Sequence, residues 1–156
     1  MKWGFDTSVL IPVFPEDLQS HERCFAAFAA ADRKVACCAA HSLAEVCAAI
    51  TRLPGKYRMS GEQVMLMMGE IEQRCTIVSL DAREYLKVIR QAAANGIAGE
   101  TIYDALSAGC ATKAKAEIIY TDNEKHFRLL DFGDCEPNEE ALILTSRMRQ
   151  GLYRQV

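Results

Sequence analysis

Short apolar runs alternate with longer stretches of helical periodicity along this chain of 156 residues. The apolar runs predict four strands, namely Trp3–Phe5, Val35–Cys38, Thr76–Leu80 and Ile118–Thr121. The intervening periodic stretches, bounded by capping residues and by Gly or Pro breaks, predict helices over residues 20–31, 42–51, 60–74, 81–94 and 101–114, with a short one ending near residue 130. Strands separated by helices indicate an α/β fold: a three-layer α/β/α sandwich around a central, mainly parallel sheet.

The C-terminal part of the chain carries two further predicted elements. Phe132–Cys135 fits a short edge strand, and Asn138–Leu152 fits a terminal helix with acidic residues in its first turn. No linker, repeat or low-complexity run divides the chain. We therefore predict one domain over residues 1–137, with a helical extension of the same domain over residues 138–156.

Four acidic residues are predicted to lie at one edge of the sheet. Asp6 and Asp122 follow the first and fourth strands, whereas Glu45 and Asp104 lie in the first turns of two helices. Right-handed crossovers place the carboxyl ends of all parallel strands at one edge. In a doubly wound sheet the first and fourth strands are neighbours, which brings Asp6 and Asp122 together at the point where strand order reverses.

Carboxylates that converge in this way repel one another unless a cation is bound between them. Their oxygens are the hard ligands that Mg²⁺ or Mn²⁺ prefers, and such an ion activates water and neutralises charge on a phosphoryl group. Small polar residues flank these acids and are candidates for orienting ligands or an attacking water: Thr7, Ser8, Thr121 and Asn123.

Each acid also has a purely structural interpretation. Glu45 and Asp104 complete the patterns Ser42-x-x-Glu45 and Thr101-x-x-Asp104, which are typical of helix capping boxes. The chain predicts two more such boxes, at Ser60-x-x-Gln63 and Asp81-x-x-Glu84. Asp6 and Asp122 are placed to cap the turns that follow their strands. It is the combination of four acids at one edge that favours a metal site.

Four segments of the chain together resemble the signature segments of PIN-domain nucleases, in particular the VapC-type toxins of bacterial toxin–antitoxin pairs. They are Phe5–Ile11, Ser42–Val46, Ile102–Leu106 and Tyr120–Asn123, the last accompanied by Phe127. Their order and separations match the family, and the likeness extends over roughly residues 3–135. By this resemblance the domain at residues 1–137 is a PIN domain, and the extension at residues 138–156 has no clear counterpart.

The resemblance implies a metal-dependent endoribonuclease, in which four acids hold one or two Mg²⁺ or Mn²⁺ ions. Carried over by position, the metal-binding and catalytic residues are Asp6, Glu45, Asp104 and Asp122. Asp122 lies in the most variable segment, where Asn123 or Glu124 can share its role. The resemblance also implies an RNA substrate, an antitoxin partner and a homodimer.

Several other features have both a functional and an ordinary interpretation. Arg52, Lys56 and Arg58 flank a Pro-Gly break beyond the helix of Glu45, where they either hold RNA phosphates or are solvated charges.

A methionine group is interpreted as packing surface in preference to a partner groove: Met65, Met67 and Met68. The histidines lack metal-ligand spacing, which favours structural roles, although two of them fall near the acidic edge: His41 and His126.

Composition narrows the choice of function. The net charge of −3 is incompatible with sequence-blind wrapping of nucleic acid. If the four proposed metal ligands are left out of the count, the chain has eighteen basic and seventeen acidic residues. None of the seven cysteines belongs to a C-x-x-C pair. We therefore expect the cysteines to be small, buried hydrophobic side chains of a protein in a reducing compartment. The absence of a long apolar run and of a secretory leader predicts a cytoplasmic protein that does not engage a membrane.

Two other functions remain open at this point. A PIN-like module could act only through a binding partner, although such degenerate relatives commonly lose one or more acids and all four positions are filled here. An aspartyl-phosphate phosphohydrolase of the haloacid-dehalogenase kind would also place an Asp after the first strand. That family typically carries a second Asp two positions on, where this chain has Ser8.

Overall fold

The computed structural model describes residues 1–130, and within them a four-stranded sheet forms the centre of the fold. Its strands are β1 (Trp3–Phe5), β2 (Ala36–Ala39), β3 (Thr76–Val78) and β4 (Ile118–Tyr120). They lie in the order β3-β2-β1-β4, and every neighbouring pair is parallel. The predicted parallel sheet is confirmed, and its strand order reverses between β1 and β4.

Seven α-helices connect and cover these strands within the described residues. They are α1 (Thr7–Leu10), α2 (His21–Ala29), α3 (Ala40–Thr51), α4 (Gly61–Arg74), α5 (Ala82–Ala94), α6 (Thr101–Lys113) and α7 (Glu124–Leu129). Two short 3₁₀ helices, Ile11–Val13 and Gly55–Tyr57, complete the pattern. The sequence predicted α2 to α7 and missed α1, which is only four residues long.

Alternate residues of the strands point to two different cores. Phe5 and Cys38 belong to a large cluster with side chains from α1, α2, α3 and α4. On the other face, Gly4 lies against α6: a β-carbon on this glycine would be 3.2 Å from the Cβ of Ala111. Helices therefore cover both faces of the sheet, as the predicted α/β/α sandwich requires.

A smaller second core joins α5 to α6 and includes Val88, Ala92, Ala105 and Leu106. The two helices approach closely at Gly109, where an added β-carbon would be only 2.9 Å from Cγ2 of Val88. This packing holds α6, which carries Asp104 in its first turn, against α5.

Two of the four predicted capping boxes form and two do not. Ser60 with Gln63 and Asp81 with Glu84 make both reciprocal hydrogen bonds. The prediction is wrong for Ser42 and Thr101: α3 begins at Ala40 after the N-cap Ala39, and α6 begins after the N-cap Glu100, in neither case with a side-chain cap. Because β2 runs directly into α3, Ser42 lies inside the helix, where its buried Oγ has no hydrogen-bond partner among the described residues.

Other predictions have mixed outcomes. Most described cysteines are buried, and all six are free thiols, as the sequence predicted. Met67 is buried and Met68 packs against the large core, whereas Met65 is exposed. No helix within residues 1–130 is long and apolar enough to cross a membrane. The predicted strand Phe132–Cys135 and the extension at residues 138–156 lie outside the described residues.

Candidate active site

Asp6 lies at the carboxyl end of β1, and hydroxyl groups hold its side chain on two sides. Only 3% of the residue is exposed. Oδ2 accepts hydrogen bonds from Ser8 Oγ at 2.7 Å and from Thr121 Oγ1 at 3.0 Å, and it caps α1 through the backbone N–H of Ser8 at 3.4 Å. The predicted capping role of Asp6 is therefore real, but it occupies one carboxylate oxygen and leaves Oδ1 as the oxygen available to a ligand.

The pairing of β1 with β4 explains why Thr121 is the partner of Asp6. Phe5 pairs with Tyr120, and the backbone N–H of Asp6 donates to the carbonyl of Tyr120 at 3.0 Å. Thr121 is therefore opposite Asp6. Its Oγ1 also accepts from the backbone N–H of Asn123 at 2.9 Å, so the loop after β4 is tied to the carboxylate of β1.

Asp104 is the second acid that the fold brings to this edge. It is 8% exposed, in the first turn of α6. Its Oδ1 accepts from Asn123 Nδ2 at 3.4 Å, and its Oδ2 lies 2.6 Å from Nδ1 of His126. Because an ionised carboxylate carries no hydrogen, His126 is the donor in this contact. Thr121 and Asn123 thus connect Asp6 to Asp104 through one hydrogen-bond network.

Burial of Asp104 raises its pKa above the usual range. The hydrogen bond from His126 opposes this effect, while the negative charge of Asp6 adds to it. Asp6 and Asp104 are therefore close enough to repel each other when both are ionised. A cation between them would remove this electrostatic cost.

Glu45 projects from α3 toward α1. Its Oε2 accepts a short hydrogen bond from Oγ1 of Thr7, the residue directly after Asp6. Because α3 begins at Ala40, Glu45 is too far along the helix to complete a capping box. The structural interpretation of Glu45 is therefore wrong, and its carboxylate is directed at the segment that carries Asp6.

Asp122 differs from the other three acids. Its residue is exposed, and its backbone N–H donates to Ser8 Oγ at 3.0 Å. Burial and, second to it, the charge of Asp122 raise the pKa of the Cys24 thiol on α2 to about 11. The charge of Asp122 therefore acts on α2, in addition to the backbone contact with Ser8.

The four predicted supporting residues all contact one of the acids. Thr7 donates to Glu45, Ser8 and Thr121 donate to Asp6, and Asn123 donates to Asp104. Small polar side chains beside the acids were the signal that identified them in the sequence. His126 was missed as a direct partner of Asp104, although its position shortly after the fourth strand places it at the same edge.

The proposed RNA-contact residues are exposed but engaged in local interactions. Lys56 forms an ion pair with Asp17 at 3.0 Å, and Arg58 donates from Nε to the carbonyl of Leu53 at 3.3 Å. Arg52 follows the last residue of α3, about 10 Å along the helix axis from Glu45. A role for any of them in RNA binding stays a prediction.

The donor chemistry of the acidic edge suits a hard divalent cation. Carboxylate oxygens from β1, α3 and α6 are the preferred ligands of Mg²⁺ and Mn²⁺, and the mutual repulsion of Asp6 and Asp104 favours an ion there. Within residues 1–130, however, no three His, Cys, Asp or Glu side chains are grouped closely enough to form a ready metal site. Glu45 and Asp104 instead bond to Thr7 and His126, so binding a metal would require them to exchange these partners.

We expect Asp104→Asn to stabilise the metal-free protein at neutral pH. A raised pKa means that the folded state binds the proton of Asp104 more tightly than the unfolded chain does. Ionisation therefore costs stability at neutral pH, and the cost disappears as the pH falls toward the usual carboxyl range of about 4. Scanning calorimetry in a chelating buffer should show a higher Tm for the variant at neutral pH and a smaller difference at acidic pH.

Asp17→Asn is the matched control for this measurement. A hydrogen bond from Lys56 lowers the pKa of the exposed Asp17 carboxyl, so its ionised form does not destabilise the fold. This substitution should give no rise in Tm at neutral pH. A neutral-pH Tm for Asp104→Asn below that of the wild type would contradict the expectation.

Comparisons with known proteins give a consistent result. The sequence matches the PIN domain family over residues 5–133. The structure is similar to that of VapC20 of Mycobacterium tuberculosis, described as a sarcin-ricin loop cleaving toxin, with 13% identity, a TM-score of 0.67 and coverage of 81% of this chain and 94% of that one.

Two further solved structures share the fold. VapBC2 from Rickettsia felis, bound to a DNA fragment from its promoter, has 20% identity and a TM-score of 0.56 over 83% of this chain and 93% of its own. FitAcB from Neisseria gonorrhoeae has 19% identity and a TM-score of 0.54 over the same shares. No curated protein matches the chain in sequence.

Proposed function

Because the chain belongs to the PIN domain family, we propose that it is a metal-dependent endoribonuclease and the toxin of a toxin–antitoxin pair. The observation that supports the proposal is the hydrogen-bond network that joins Asp6 to Asp104 at the edge where strand order reverses. Ligands of open α/β sheets bind at such switch points. Asp6, Glu45 and Asp104 are the residues that would hold Mg²⁺ or Mn²⁺, one ion or two, with Asp122 as a further candidate.

A divalent cation at this edge would lower the pKa of a water molecule and neutralise the charge that develops on the phosphodiester. The protein itself supplies orientation. Ser8 and Thr121 fix one oxygen of Asp6, and Thr7 fixes one oxygen of Glu45. The Asp6 carboxylate is thus held in place before an ion binds, whereas Glu45 would have to exchange Thr7 for the ion.

The substrate that fits this proposal is single-stranded or loop RNA, because its backbone is accessible in those regions. The exposed Arg52 and Arg58 are the candidates for phosphate contacts beyond the acidic edge, and Lys56 would first have to leave Asp17. Because the overall charge is −3, recognition of RNA would depend on such local contacts and on a bound metal ion.

Structural neighbours support the toxin part of the proposal. VapC20 is described as a toxin that cleaves the sarcin-ricin loop, and VapBC2 was solved with a promoter DNA fragment. By analogy we propose an antitoxin partner, a homodimer and a cytoplasmic location for this protein.

The test is cleavage of a labelled single-stranded RNA by the purified protein with Mg²⁺ or Mn²⁺ and with EDTA. We expect cleavage with the ion, loss of at least about a hundred-fold in rate with EDTA, and recovery when Mn²⁺ is added in excess. Equal rates with and without the chelator would contradict metal dependence, and no cleavage under any condition would contradict the nuclease assignment.

Calorimetric titration with Mn²⁺ distinguishes the enzyme from a non-catalytic PIN-like module. The enzyme should bind Mn²⁺ at the acidic edge, and Asp104→Asn should weaken this binding. The same carboxylate-to-amide change at Glu72, an exposed residue of α4, should leave the affinity unchanged. A wild-type protein that binds no Mn²⁺ would support the binding module instead.

A further inference from the structure

An aromatic pair spans the gap between the two helices that carry Glu45 and Asp104. His41 lies in the first turn of α3 and Tyr103 in the first turn of α6. Their ring centroids are 6.2 Å apart, with an angle of 40° between the ring planes. The ring of Tyr103 therefore reaches from α6 across to α3.

Both rings belong to residues that lie close in sequence to the acids of the proposed site. Tyr103 directly precedes Asp104, and His41 lies four residues before Glu45, which is about 6 Å along the helix axis. Nε2 of His41 lies 3.2 Å from Oγ of Ser107, three residues beyond Asp104. This contact ties the His41 ring to α6 beside the acidic edge.

Tyr103 is exposed although it lies among buried residues. Asp104, Ala105, Leu106 and Ser107, which follow it on α6, are all buried, whereas Tyr103 is 45% exposed. Tyrosine offers a large rigid face at little cost in conformational entropy, and exposed aromatic rings bind unpaired nucleobases by stacking.

We propose that Tyr103, supported by His41, is a stacking site for an unpaired nucleobase next to the phosphodiester held at Asp6, Glu45 and Asp104. The inference rests on the proposed nuclease function and names the chemistry of its substrate recognition. The phosphate side of the nucleotide would be held by a divalent cation at the carboxylate edge. The base would stack on the exposed ring of Tyr103, the residue before Asp104, without hydrogen bonds that would select one base over another.

The test is the binding of a fluorescein-labelled, single-stranded RNA of about eight nucleotides, measured by anisotropy with Ca²⁺, which also takes carboxylate oxygens as ligands, and with a gel check that the RNA stays intact. We expect Tyr103→Leu to weaken binding by about 5- to 100-fold, the range for loss of one stacked base. Tyr103→Phe keeps the ring and should bind as the wild type does. Tyr85→Leu, the same change at an exposed tyrosine of α5, is the matched control and should have no effect.

A second arm uses the same RNA with an abasic position introduced at each site in turn. At one position the abasic RNA should bind the wild type as weakly as Tyr103→Leu binds the intact RNA, and the variant should not distinguish the two RNAs. Unchanged affinity for Tyr103→Leu would overturn the proposal and would point to Tyr103 as a protein-contact residue. An equal loss for Tyr85→Leu would also overturn it.

These outcomes are independent of the nuclease assay. A protein that cleaves RNA with Mn²⁺ but shows no effect of Tyr103→Leu on binding retains the proposed function and lacks the stacking site. A protein that binds RNA through Tyr103 but never cleaves it has the stacking site and lacks the proposed activity.

Discussion

Asp6→Asn is expected to reduce metal-dependent RNA cleavage by about a hundred- to a thousand-fold, the range for losing one electrostatic contribution at the reacting centre. The substitution removes the negative charge that a divalent cation requires. It retains an oxygen that can accept from Ser8 and Thr121, and Asn is as good a helix N-cap as Asp. The variant should therefore fold and lose activity.

Initial cleavage rates at saturating Mn²⁺ measure this effect, and circular dichroism checks the fold. Glu72→Gln, the corresponding change at an exposed carboxylate on α4, should cleave at the wild-type rate. Folded Asp6→Asn protein that cleaves as fast as the wild type would exclude Asp6 from the catalytic site. A variant that unfolds would instead show that the cap of α1 matters more than we infer.

The sequence was sufficient to predict the sheet and the edge at which Asp6 and Asp104 lie. The four strands, their parallel arrangement and the pairing of β1 with β4 follow from alternating elements and from the chirality of crossovers. Helix α1 could not be predicted, because four residues are too few to show a helical period. The short 3₁₀ helix that continues it begins with Ile11 and Pro12, which a local pattern assigns as a break.

Capping patterns show where local sequence information is insufficient. Ser60 and Asp81 follow turns or loops and cap their helices as predicted, whereas Ser42 follows a strand that leads straight into α3. Whether a Ser-x-x-Glu pattern becomes a capping box depends on where the preceding strand ends, which is a tertiary property. The same error concealed the contact between Glu45 and Thr7, because Glu45 had a local partner in the predicted box.

The sequence identified the small polar residues beside the acids but not which acid each of them contacts. Register between β1 and β4 places Thr121 opposite Asp6, whereas the charge of Asp122 acts on Cys24 of α2. A one-residue shift in the register between β1 and β4 could have placed Asp122, in the position of Thr121, opposite Asp6. His126 contacts Asp104 because α7 follows the loop after β4. The position of this histidine after the fourth strand indicated the edge of the sheet but not its partner.

Leu10→Ala is expected to lower the free energy of unfolding by about 2–5 kcal/mol, the range for truncating a fully buried leucine. Leu10 is 0% exposed and ends α1, where it belongs to the large core with Phe5 and Val46. Its backbone N–H donates to the carbonyl of Asp6 at 3.1 Å. A cavity at Leu10 therefore weakens the packing of the helix that carries Thr7 and Ser8, the hydroxyl partners of Glu45 and Asp6.

Leu66→Ala on α4 is the matched control, because Leu66 is 75% exposed and the same atoms are removed. Its effect on stability should stay within about 0.5 kcal/mol. Urea unfolding of both variants measures the difference, and Mn²⁺ titration of folded Leu10→Ala should show weaker binding than the wild type, since the acids lose their support. Equal stability of the two variants would show that α1 is not anchored by Leu10. A destabilised Leu10→Ala protein with unchanged Mn²⁺ affinity would show that the acidic edge is held in place without α1.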